Sequence, residues 1–192
     1  MTIQELFIRS NEELLHVIKQ ISDSQWDLMM PKGTSRNPTS LADAVRYHTY
    51  DDAWVVDVLD GKTKEDVSDT YEFLRNIPDA NIRNTYAKYN EVATDKIRGF
   101  TDLDTIVHLS YGEFTAHDYL QHIISFRGFR IYDIAKLIGL ETELPFDLVQ
   151  GLWDEFTPVV ESYRQMGVFP PAITVPEDSS LQTKLLALVG RS

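Results

Sequence analysis

Histidine and carboxylate side chains are the groups in this 192-residue chain best suited to gather a metal ion or move a proton near neutral pH, because cysteine is absent. The densest cluster is His48 with Asp51 and Asp52, whose three- and four-residue spacings put an imidazole and two carboxylates side by side on a helix. This cluster reads as an exposed, acidic polar face. His117 and His122 are five residues apart, which rotates them by roughly 140° around a helix of 3.6 residues per turn. They do not share a face, unlike a His-x-x-x-His pair. His16 and His108 have no acid at ligand spacing and read as surface or satisfied core residues. Without thiolates, any metal would need nitrogen and oxygen ligands. No Gly-rich phosphate loop, Ser-x-x-Lys or Gly-x-Ser-x-Gly motif occurs, and Trp26, Trp54 and Trp153 read as core anchors.

The elements that must position these groups are helical. Thr2 followed by Glu5 forms a capping box for a first helix over about 2–22. A loop around Pro31, Gly33 and Pro38 leads to a second helix, capped by Thr39 or Ser40 and stopped after Leu59 by Asp60-Gly61. A connection follows, with a short helix near Asp66 to Arg75. Asp79 is the expected cap of a third long helix, whose apolar face carries Ile82, Tyr86, Tyr89, Val92, Ala93, Ile97 and Phe100. Residues 101–114 are open between extended chain and helix. A fourth helix starts at the Thr115 cap and ends at Gly139. Pro145 can open a fifth helix reaching about Met166, which Pro158 should kink or divide. Phe169-Pro170-Pro171 is an extended connector, and a last short helix covers Ser180 to Val189. The pattern predicts an all-α chain built on a four-helix bundle, with ligand sites between facing helices.

Composition narrows the function classes. With 43% hydrophobic residues and a length of 192, the chain can bury a core and fold as one domain, its bundle over about 2–139 and an extension over about 140–192. The net charge of −12 opposes contact with nucleic acid and anionic membranes, so neither is an expected partner. No basic leader precedes an apolar run at the N-terminus, and no segment is apolar enough to span a bilayer, which gives a cytoplasmic expectation.

Several stretches resemble a known group. Val107-His-Leu-Ser-Tyr-Gly, Thr115-Ala-x-x-Tyr-Leu, Tyr132-Asp-Ile-Ala with Gly139, Pro176-Glu-Asp and Leu185-Leu-Ala-Leu-Val-Gly-Arg are similar to the DinB/YfiT-like superfamily. The branch resembled is that of actinobacterial-type proteins related to the metal-binding domain of mycothiol-dependent maleylpyruvate isomerase. The resemblance implies a four-helix bundle with short additional C-terminal helices, and commonly a homodimer. It also implies zinc or nickel held by a histidine on the second helix and by an acid-x-x-x-histidine or histidine-x-x-x-histidine pair on a later one. Members with assigned activities tend to be thiol-dependent transferases or isomerases, or hydrolases, in which a metal would activate a thiol or water.

Placed in the family register, the ligand positions hold other residues. Ser40-Leu-Ala-Asp43 resembles the motif that precedes the helix-two histidine, which puts Tyr47 at that position. Ile131-Tyr132-Asp133 resembles Gly-Trp-Asp, which puts Arg130 at the later histidine and Phe126 at the acid. Phenylalanine has no donor atom, neutral tyrosine is a poor ligand, and arginine stays protonated. The expectation is a degenerate metal site with no metal cofactor, in which Arg130 fills the vacated position. Tyr47 and either Asp51 or Asp43 would hold Arg130, while Asp133 braces the bundle. The expected function is binding or regulation through an unknown small molecule. The alternative is a metal-dependent thiol transferase or isomerase with a relocated site using His48 and His122.

Overall fold

Local signals at each end make the helices of this chain. In a computed structural model that describes every residue except Ser35, Arg36 and Pro38, the first helix is α1, Ile3–Lys19, with the Thr2 and Glu5 capping box formed. Of the loop residues named above, Pro38 lies outside the described residues. Helix α2 spans Leu41–Leu59, and Ser40 caps it by accepting from the Asp43 amide. The expected helix near 66–75 is instead a single turn, α3 (Lys64–Val67), and a separate 3-10 turn at Glu72–Asn76. Ser68 separates them with a positive φ of 51°.

Helix α4 spans Asp79–Arg98. Asp79 does not cap it as expected: Pro78 occupies the cap position, and the Asp79 carboxylate accepts from Arg46 across the bundle. The ambiguous stretch forms an antiparallel hairpin of β1 (Ile106–Leu109) and β2 (Gly112–Thr115), with Ile106 opposite Thr115 and Leu109 opposite Gly112. Its β-branched residues favour the pleated form. Thr115 then caps α5, Ala116–Ile138, which Gly139 ends in the left-handed conformation (φ 76°) that costs glycine little. Pro158 divides the next helix into α6 (Phe146–Phe156) and α7 (Val160–Gln165), and α8 spans Leu181–Leu188.

The four long helices form a ring in which α4 packs against both α1 and α2, and α1 against α5. The ring closes between α2 and α5, where the two helices approach each other over a shorter stretch. The C-terminal helices are tied to α5 by edge-on rings: Phe129 lies 5.7 Å from Phe156 and 5.5 Å from Phe169, and Phe169 stacks on Tyr163 at 5.4 Å. Among the described residues, no helix is long and apolar enough to cross a membrane.

Candidate functional site

The seam between α2 and α5 carries charge where helix periodicity calls for apolar side chains. Leu41, Val45, His48, Asp52, Val55 and Leu59 alternate spacings of four and three along α2, and all are buried. Leu120, Ile124, Arg127, Ile131 and Ile134 do the same on α5. A stripe with that spacing faces the bundle interior. His48, Asp52 and Arg127 are therefore core residues by position.

Arg127 and Asp52 are fully buried, with Nη2 of Arg127 2.6 Å from Oδ1 of Asp52. This is a contact of opposite charges without hydrogen-bond alignment, since neither of those atoms has a hydrogen-bond partner. Arg127 Nη1 donates to Oδ1 of Asn11 on α1, and Asn11 Nδ2 donates to Thr94 Oγ1 on α4 at 3.1 Å. Asn90 Nδ2 donates to the Asn11 carbonyl at 3.3 Å and to the Tyr86 hydroxyl at 3.1 Å. The Phe7 ring lies 5.0 Å under the Arg127 guanidinium. Each long helix thus contributes at least one buried polar residue to a single layer: Asn11 from α1, Asp52 from α2, Asn90 and Thr94 from α4, and Arg127 from α5.

Electrostatics follow from this burial. Desolvation pushes the Asp52 carboxyl up, while the Arg127 guanidinium against it favours the charged form. Asp51, half-buried beside it, is pushed up to about 7, by burial first and by the Asp52 charge, against the pull of Arg127. His48 is held well below the ordinary histidine value by burial and by the charges of Arg130 and Arg127, so it is neutral.

The Asp51 shift gives a testable sign. Its folded value lies above the ordinary carboxylate value of 3.8, so the folded state binds the proton more tightly, and this contribution to stability is lost as pH rises toward about 7. Asp51→Asn fixes the group in a neutral form. In urea titrations from pH 5 to 8, the stability of the natural protein relative to this variant should fall as pH rises; an unchanged difference would show that Asp51 titrates normally. His48 contributes the opposite trend in both proteins, because its folded value is lowered, and so cancels in the difference.

The residues proposed from the family register do not converge. Tyr47 is 51% exposed and Phe126 42% exposed, so both sit one position away from the inward-facing residues His48 and Arg127. One residue rotates a helix position by about 100°, enough to turn a side chain from seam to surface. Arg130 is buried, but Thr34 holds it rather than Tyr47, Asp43 or Asp51: Nη1 donates to Thr34 Oγ1 at 3.2 Å and Nη2 to the Thr34 carbonyl at 2.9 Å. Asp43 instead pairs with Arg46 at 2.8 Å. Asp133 lies 3.9 Å from Arg130 and accepts two bonds from Arg191, at 3.0 and 3.1 Å. His122 lies 3.2 Å from the Tyr111 hydroxyl and faces the Phe114 ring at 4.9 Å. The exposed-face reading of His48 and Asp52 is also corrected, since both are buried. Arg127 was not singled out by its sequence, although its place on the apolar stripe of α5 marks it.

Zinc or nickel fits this seam poorly. Among the described residues, no group of three or more histidine, aspartate or glutamate side chains could hold a metal ion, so His48 and His122 do not anchor such a set. The charges facing His48 are guanidinium groups. A cation within about 4 Å of one would be opposed by about 4 kcal/mol per unit charge at an effective dielectric constant of 20.

No protein-family model matches the chain, and no curated protein matches its sequence. The architecture does have a counterpart: the crystal structure of a histidine-to-alanine mutant of the mycothiol-dependent maleylpyruvate isomerase superposes with a TM-score of 0.67 at 10% identity, covering 100% of this chain and 90% of that one. At that identity the likeness is one of backbone architecture, and by that measure the chain has the DinB-like fold of a maleylpyruvate isomerase.

Proposed function

We propose that this protein is a metal-free member of its fold that binds a small molecule at the α2–α5 seam, in a binding or regulatory role. The observation that carries the reading is the presence of guanidinium groups, rather than further metal-compatible donors, beside His48: the charges of Arg130 and Arg127 oppose its protonation. A site with that field repels a divalent cation. The reading extends to one domain over residues 1–192, working in the cytoplasm as a homodimer, an assembly that light scattering reads directly.

Elemental analysis of protein purified without a metal-affinity tag should find zinc and nickel well below one equivalent. Neither metal should raise the melting temperature. Stoichiometric metal with stabilisation of about 2 kcal/mol or more would overturn the proposal and favour a metal-dependent thiol transferase or isomerase centred on His48. That alternative draws on the isomerase to which the fold is similar. Its support would be turnover of a thiol with a model electrophile that a chelator abolishes.

A further inference from the structure

Among the described residues, the charges around Arg130 do not balance. Arg130 is 7% exposed, and the carboxylate nearest to it, Asp133, is 3.9 Å away and already held by both Nε and Nη2 of Arg191. Two guanidinium groups therefore share one buried carboxylate. Arg127 and Asp52 neutralise each other, and His48 is neutral, so neither supplies the missing negative charge. Burying a charge without a counter-charge is costly, and proteins resolve it with a partner or a bound ion.

Two polar groups beside this charge are also unused. Arg130 Nε is buried without a hydrogen-bond partner. The His48 ring is 3% exposed and, among the described residues, makes a ring contact with Tyr47 but no hydrogen bond or ion pair. Meanwhile the two outer nitrogens of Arg130 are occupied by two oxygens of one residue, Oγ1 and the carbonyl of Thr34, much as the two oxygens of a carboxylate would occupy them. Thr34 supplies the oxygens but not the charge.

We infer that Arg130, with His48 beside it, is the recognition site for a small carboxylate ligand that displaces Thr34 from the guanidinium fork. A carboxylate suits the single uncompensated charge better than a phosphate dianion, which would leave an excess negative charge in the seam. The bound form replaces two neutral acceptors by charged ones, and charge-assisted bonds of this kind are about twice as strong as neutral ones. The inference rests on the seam being the ligand site. Metal in the purified protein would overturn that reading, whereas the anion measurements below test the carboxylate site alone.

The test uses the intact protein at constant ionic strength, with sodium benzoate, sodium acetate and inorganic phosphate as probes and chloride as the control. Thermal shift and calorimetry should show saturable binding of a carboxylate that chloride does not reproduce. Arg130→Gln should abolish it, and Arg130→Lys, which keeps the charge but loses the fork, should weaken it about tenfold or more, as losing a charge-assisted bond does. Thr34→Ala removes a competing oxygen on a loop and should tighten binding. This variant keeps the test decisive even where the arginine variants lose helical signal. Absence of carboxylate binding, binding indifferent to Arg130→Gln, or unchanged or weaker binding in Thr34→Ala would each overturn the inference. Phosphate binding in preference to both carboxylates would overturn its ligand class.

Discussion

Replacing Arg127 with methionine is expected to lower the unfolding free energy by about 3–5 kcal/mol, because it leaves a fully buried aspartate without its counter-charge. Breaking a buried pair from one side costs far more than the pair itself contributes. For a domain of this size the loss corresponds to a fall in melting temperature of roughly 6 to 20 °C. The double variant Asp52→Leu, Arg127→Met removes both charges and should recover most of that loss. Full recovery is not expected: Asn11 Oδ1 also loses its donor, which leaves a deficit of about 1–3 kcal/mol. Urea denaturation followed by circular dichroism measures all three proteins. A single variant as stable as the natural protein would show that the pair is not the buried contact described above.

Gly190→Ala should cost about 2–5 kcal/mol, from two sources that a control separates. The residue has a φ of 73°, and a β-carbon there would stand 2.6 Å from Pro170 Cβ and 2.9 Å from the Pro171 carbonyl. Neither neighbour can rotate away, because one is a ring and the other is backbone. Gly61 has nearly the same conformation, φ 78°, with nothing within 4 Å, so Gly61→Ala should show the backbone strain alone, about 1–2 kcal/mol. The excess at Gly190 measures the clash. Its effect should reach α5, because the next residue, Arg191, holds Asp133 and lies 5.2 Å over the Phe129 ring. Equal losses at the two glycines would mean that the connector yields and the contact with Pro170 is not constraining.

What the sequence made legible was local. Thr2 with Glu5, Ser40, Thr115 with Gly139, and Pro158 act within one turn of the chain, and helix boundaries follow from them. Asp79 opens α4 rather than capping it, and its carboxylate is engaged by Arg46, 33 residues away, a partner that no window around the cap contains. The site failed for a related reason. Tyr47 and Phe126 each sit one position from the buried His48 and Arg127, and one residue turns a helix position by about 100°. The apolar spacing held the better guide: Val45 and Val55 bracket His48 and Asp52, while Ile124 and Ile131 bracket Arg127. Thr34 is not legible in the sequence, because its contact with Arg130 spans 96 residues and joins a loop to a helix.

The polar layer has a consequence for how the chain folds. Arg127 needs oxygens from two other helices, and Asn11, which supplies one of them, is in turn held by Thr94 and Asn90 of the remaining helix. A pair or trio of helices that collapsed early would enclose a charge or an amide with its complement still in solvent. Such intermediates are penalised relative to the complete ring, so amide exchange around Asn11, Asp52, Asn90 and Arg127 should proceed only through opening of the whole bundle.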